Sequence, residues 1–131
     1  MGGETNLEKL LASMEPMLRE GDFVFATVPG KSVPLELNPI GTFIEDEGLT
    51  LILPADEAKT AGLAASGPMR CITLAVHSSL DAVGLTAAFA TELTAHGISA
   101  NVVAGYYHDH IFVPAADGER ALAALAEARP V

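Results

Sequence analysis

Tryptophan is absent from this chain, cysteine occurs once, and aromatic side chains of any kind make up 5% of the 131 residues. Any core must therefore be filled by Val, Leu, Ile and Ala, which a 50% hydrophobic composition allows. A chain of this length can bury one ordinary core or two very small ones. A single cysteine cannot close an internal disulfide, and Cys71 lies in an apolar run, so a reducing, cytoplasmic compartment fits best. Basic residues are scarce, with 7 Lys and Arg against 17 Asp and Glu and a formal net charge of −10. Such a surface repels phosphate backbones and anionic lipid, which argues against nucleic acid and membrane as partners. No block of like charges is present, so the acidity reads as solubility rather than as a binding tail. No apolar run approaches the roughly 20 residues of a membrane span, and no apolar segment follows a basic start.

What is present is concentrated between Arg70 and Pro114. Cys71 to Val76 is a short β-branched, apolar run of the kind that forms a buried strand. A helix follows, with Ser79 able to cap its first turn and Asp81 placed near the positive end of its dipole. Val83, Leu85, Ala88, Phe89 and Leu93 recur at steps that give one apolar stripe, and His96-Gly97 stops the helix. Ile98 to Ala104 reads as a strand, Gly105-Tyr106-Tyr107-His108 as a tight connection, Asp109 to Val113 as the antiparallel partner, and Asp117 to Ala128 as a second helix. The order is β-α-β-β-α, most of a ferredoxin-like βαββαβ unit of the α+β class.

The first half repeats that order imperfectly. Leu7, Leu10, Leu11, Met14 and Met17-Leu18 stand at helical spacing, with Pro16 stopping or bending a short leading helix. Asp22 to Val28 alternates as a strand, Pro29-Gly30-Lys31 turns, and Ser32 to Pro39, with two prolines, reads as extended and irregular where a helix would complete the repeat. Ile40 to Ile44 and Leu49 to Leu53 form a hairpin around Glu45-Asp46-Glu47-Gly48, and Asp56 to Leu63 is a short helix. Ala65 to Pro68 is the candidate boundary, giving halves 1–66 and 67–131. Each half then lacks a final strand, which implies that the strand after Arg70 serves both, or that the halves lend strands to one another.

The run "ITLAVHSSLDAVGLTAAFATELTAHGISANVVAG" resembles an ACT domain: a strand ending in a polar turn, Gly84-Leu85 opening the helix, the step from Leu93 to Ile98, and Asn101 early in the next strand. The flavour is that of aspartate kinase regulatory domains and of short stand-alone tandem-ACT proteins of bacteria. The resemblance implies two ACT-like halves with antiparallel sheets covered by helices, the first degenerate. It also implies a non-catalytic regulatory protein that binds a small molecule, most simply an amino acid, with no cofactor, and that acts as a homodimer or on a partner enzyme. By position it points to His77, Ser78, Asp81, Val83, Gly84 and Leu85 on the turn and to Ser99, Asn101 and Val102 on the strand. The free N–H groups of a helix start suit a ligand carboxylate. Ser79 and Asp81 as plain caps, with Gly84 permitting close packing, is the competing reading of the same residues.

His108-Asp109-His110 is the other polar cluster. Positions i and i+2 of a strand share a face, yet two imidazoles fall short of the three or four ligands zinc needs, so no metal site is assigned. A polar loop on an exposed hairpin is the plain reading of this cluster; the functional one is that His108 or Asp109, with Tyr106 and Tyr107, borders the ligand pocket, where histidine titration would make binding sensitive to pH. Catalysis finds little support. Ser78 follows His77, but neighbouring residues of a strand point apart and form no nucleophile and base pair. Cys71 reads as buried and inert, and no glycine-rich phosphate loop is present. The alternative from another class is an ACT-like pair that has lost its ligand and serves as a protein interaction or dimerisation module through its strand edges.

Overall fold

In the computed structural model the described residues are 15–74 and 85–127, with nothing stated for the side chains of Leu85, Thr86 and Glu127. In chain order they form β1 (Pro16–Leu18), β2 (Phe23–Val28), β3 (Gly41–Glu45), β4 (Gly48–Pro54), α1 (Ala55–Thr60), β5 (Met69–Leu74), α2 (Leu85–Ala95), β6 (Asn101–Ala104), β7 (Asp109–Pro114), a 3₁₀ turn (Ala115–Asp117) and α3 (Gly118–Glu127). The chain divides into two units, one of residues 21–69 and the other of residues 1–20 with 70–131.

In the 21–69 unit, β4 lies between β3 and β2, and both pairings are antiparallel. Alternation along β2 and β4 turns Val24, Ala26, Val28, Leu49, Leu51 and Leu53 to one side, where they pack with Ala58 of α1. No helix joins β2 to β3. Leu37, from the irregular proline-bearing segment, enters the core at 6% exposure and fills that space. The backbone N–H of Asn38 donates to the Glu57 carboxylate, which ties the segment to α1. On the far side of β2 the chain returns antiparallel to it: Ala65 bridges Ala26, the Ser66 N–H donates to the Phe25 carbonyl at 2.8 Å, and Met69 pairs with Phe23.

The β3–β4 turn depends on Gly48. Its φ of +152° is one that side chains seldom adopt, and an added Cβ would stand 2.6 Å from the Val28 carbonyl oxygen. Gly48→Ala is therefore expected to destabilise the protein by about 1–3 kcal/mol through strain and overlap. Gly67→Ala, where a Cβ meets nothing within 4 Å, should stay within about 0.5 kcal/mol of the parent. Urea titrations of the two variants check the contrast.

In the other unit β5 has β1 on one side and β7 on the other, and β6 pairs with β7. Ile72, Leu74, Ile111 and Val113 turn to one face and pack with Phe89 and Leu93 of α2, Ile98, and Ala121, Ala124 and Leu125 of α3. Leu122 packs at the rim of this core. α2 ends as its sequence suggests. Gly97 takes φ +71°, and the N–H groups of Gly97 and Ile98 donate to the carbonyls of Thr94 and Leu93. This doubly bonded cap satisfies the last carbonyls of the helix.

Two expectations are corrected. Pro16 to Leu18, read as the tail of a leading helix, forms β1: Pro16, Met17 and Leu18 pair with Leu74, Thr73 and Ile72. β5 needs a hydrogen-bonding partner on that side, and this requirement outweighs the helical spacing. The rest of that predicted helix lies outside the described residues. The strand expected over Ile98 to Ala104 begins at Asn101, because the Ile98 N–H is engaged by the cap of α2 and its side chain is in the core. Residues 75 and 76 of the expected first strand lie outside the described residues.

Candidate functional site

The residues singled out as ligand-binding fall in three places. His77, Ser78, Asp81, Val83 and Gly84 lie outside the described residues, and Leu85 is the first described residue of α2. Ser99 is exposed in the link before β6. Asn101 and Val102 open β6, where the pleat sends them to opposite faces: Asn101 is exposed, and Val102 packs against the core. His108 sits at the other end of the hairpin. Asn101 pairs with Phe112, far from the turn, while Ala104 pairs with Asp109 beside His108. The hairpin thus holds Asn101 and His108 apart.

The face of this sheet turned away from α2 and α3 carries polar groups that the sequence pattern did not bring together. Alternation puts Cys71 and Thr73 of β5 on it, since Ile72 and Leu74 face the core. Likewise His110 and Phe112 of β7 share that face, opposite to Ile111 and Val113. Thr73 Oγ1 and His110 Nδ1 are hydrogen-bonded at 3.0 Å. Across the rest of that row stand Met17, which pairs with Thr73, and Val103, which pairs with His110. Arg19 follows β1, its N–H donating to the Cys71 carbonyl at 2.9 Å, and the Arg70 guanidinium donates to the Arg19 carbonyl at 2.8 Å.

The electrostatics of this face follow from those neighbours. Burial pushes the Cys71 thiol above its ordinary value, against lowering by hydrogen bonds from Thr73 and Arg19 and by the Arg19 charge. A thiol that resists ionisation is a poor nucleophile, and Cys71 has 0% exposure. His110 is held below the ordinary imidazole value, first by burial, then by the positive charges of Arg19 and His108, with only Asp109 acting the other way. His108 Nδ1 is buried without a hydrogen-bond partner. Tyr106 and Tyr107, largely exposed at the tip, meet edge to face with centroids 4.9 Å apart. The hairpin turns tightly: the Gly105 N–H donates to the His108 carbonyl at 2.9 Å. Among the described residues no three His, Cys, Asp or Glu side chains gather in a way that could hold a metal ion, and no helix is long and apolar enough to cross a membrane.

A second recess lies in the 21–69 unit, where Glu36, Leu37, Asp56, Glu57, Thr60 and Ala61 line an open cleft of about 490 Å³ between the irregular segment and α1. Its carboxylates give it acidic walls, and Glu57 is already engaged with Asn38.

An antiparallel sheet with helices packed on one face is thus built twice in this chain. Comparison with known proteins makes the class specific. Residues 2–70 match one ACT-domain family model and residues 66–127 match a second. The chain belongs to the ACT-domain family and carries two such domains in tandem. A Vibrio cholerae protein of unknown function, described as a possible transport protein, is 55% identical over 98% of this chain and 99% of its own, with a TM-score of 0.87. The Agrobacterium tumefaciens protein Atu0741 is 20% identical over 88% of each chain, TM-score 0.73. The regulatory subunit of aspartate kinase from Thermus thermophilus, in its ligand-free form, is 11% identical over 88% of this chain and 97% of its own, TM-score 0.66. At those identities the last two show the fold alone. Among curated proteins none matches the sequence.

Proposed function

We propose that this protein is a cytoplasmic sensor whose second half, residues 67–131, binds an amino acid, the first half, residues 1–66, serving as a degenerate partner. The observation that carries this reading is an asymmetry between the halves. In the second, the sequence just before α2 holds His77, Ser78, Asp81, Val83 and Gly84, positions that the ACT resemblance assigns to ligand. In the first, no helix separates β2 from β3, and Leu37 takes up the space. One ligand site per chain is the consequence. The ligand carboxylate would lie on the N–H groups ahead of α2, and its ammonium on Asp81, Asn101 or backbone carbonyls. A ligand that favours one arrangement of the protein over another shifts the balance between them, which is how such a module reports a concentration.

Thermal unfolding against the twenty amino acids tests this reading. The matching ligand at a hundred times its dissociation constant should add about 2.7 kcal/mol of stability, and Asp81→Ala or Asn101→Ala should abolish the shift. A second reading is favoured by β3: this strand pairs only with β4 among the described residues, and Phe43 and Ile44 are 71% and 57% exposed on its two faces. An open strand edge with apolar faces suits pairing with another chain, a homodimer or partner enzyme included. A flat amino-acid panel, together with a concentration-dependent dimer, would favour that module over the sensor.

A further inference from the structure

The face of the β1–β5–β7–β6 sheet away from its helices carries more basic character than the rest of this acidic chain leads one to expect. Arg19, Thr73, His108 and His110 come from three separate stretches of sequence; Thr73 and His110 are hydrogen-bonded to one another, and the charges of Arg19 and His108 act on His110. Thr73 Oγ1 holds His110 Nδ1 at 3.0 Å, which fixes the ring and leaves Nε2 at its other edge beside Gly105. Because Gly105 has no side chain, that edge stays open; a Cβ there would stand 3.3 Å from Nε2. The His108 Nδ1 is buried without a hydrogen-bond partner, and an unpaired buried polar atom costs stability until something pairs with it. Arg19 is close enough to donate to the Cys71 thiol and to act on His110.

We propose that this face binds a small oxyanion, the carboxylate or phosphate group of a metabolite, between the Arg19 guanidinium, the Thr73 hydroxyl and the imidazoles of His108 and His110. Each of these groups can donate to an oxyanion, and Arg with a hydroxyl and an imidazole is a donor set suited to one. The charged groups acting on His110 are Arg19 from the end of β1 and His108 and Asp109 from the hairpin, and the two bases outweigh the acid. A bound anion cancels that positive potential, so its arrival and protonation of His110 favour one another. Met17 and Val103, exposed at the two ends of the Thr73–His110 row, give apolar ground for the rest of such a ligand. This proposal does not depend on the amino-acid reading; His108 is the one residue the two share.

The test is an NMR titration of the histidine ring resonances with sodium sulfate and, separately, sodium acetate, at constant ionic strength and at about pH 6 and pH 7.5. Saturable shifts of His108 and His110, several-fold tighter at the lower pH, are expected, and the better of the two salts names the geometry of the group. Arg19→Gln should weaken binding about tenfold, the loss of one charge-assisted hydrogen bond, and Thr73→Val should weaken it less. Both variants are first checked for native amide dispersion; if Arg19→Gln fails that check, Thr73→Val and His110→Gln carry the comparison. Linear, unsaturable shifts in the parent protein, or saturable shifts that these substitutions leave unchanged, overturn the proposal. Either result leaves the amino-acid panel to stand or fall by the response of Asp81→Ala.

Discussion

Phe89→Ala is expected to cost about 3–5 kcal/mol of stability, a large share of the 5–15 kcal/mol that holds a domain folded. Phe89 is fully buried on the inner face of α2, in one cluster with Ile72, Leu74, Leu93, Ile98, Ile111 and Val113. The chain has no tryptophan and five phenylalanines, and Phe89 is the only aromatic member of this cluster. Its neighbours are mostly β-branched residues and leucines anchored on strands of a hydrogen-bonded sheet, which cannot move inward to fill the space. The cavity therefore persists, and its cost adds to the lost burial. Phe89→Leu, which keeps most of the volume, should cost less than about 1.5 kcal/mol. Urea unfolding reads both variants: the midpoint should fall while the slope stays as in the parent. An alanine variant within about 1 kcal/mol of the parent would mean that α2 does not press on the sheet as described.

Removing residues 1–20 is expected to have a comparable or larger effect, although those residues stand at the start of the chain and β1 is only 3 residues long. β1 supplies the neighbour that β5 requires. Three residue pairs and the Arg19 N–H to Cys71 carbonyl bond are lost without it, at about 1 kcal/mol net for each backbone hydrogen bond. Leu18 leaves the rim of the core, and Arg70 loses the carbonyl its guanidinium reaches. The edge of β5 would then be bare and open to pairing with other chains. A chain of residues 21–131 should lose the cooperative unfolding of the parent and tend to aggregate. Circular dichroism melting and analytical ultracentrifugation check this. A sharp, monomeric melt at the parental temperature would show β1 to be dispensable.

The strands and helices that span a full period were legible in the sequence. β2, the β3–β4 hairpin with its glycine, α2 with its glycine stop, the β6–β7 hairpin and the final helix each repeat their own pattern, so local residues alone define them. β1 was not legible. Three residues are too few to show a two-residue alternation, and Met17 and Leu18 fall in phase with the leucines ahead of them. Their state depends on β5, more than fifty positions further on, as the Met17 to Thr73 pair shows. The site divides in the same way. His108 drew attention as a polar residue in a turn, and Asn101 through a family pattern. Arg19 and Thr73 gave no local sign, since an arginine after a leucine and a threonine in an apolar strand are ordinary.

The sequence by itself determined the order of elements after β1, their apolar periodicity and the tandem ACT character, because hydrophobic period, glycine and proline act over a few residues. The tertiary structure alone decided which strand completes the second sheet and which polar groups share its outer face. Those outcomes rest on hydrogen bonds and charges between residues such as Thr73 and His110, 37 positions apart, and only closure of the sheet brings them within 3.0 Å of one another.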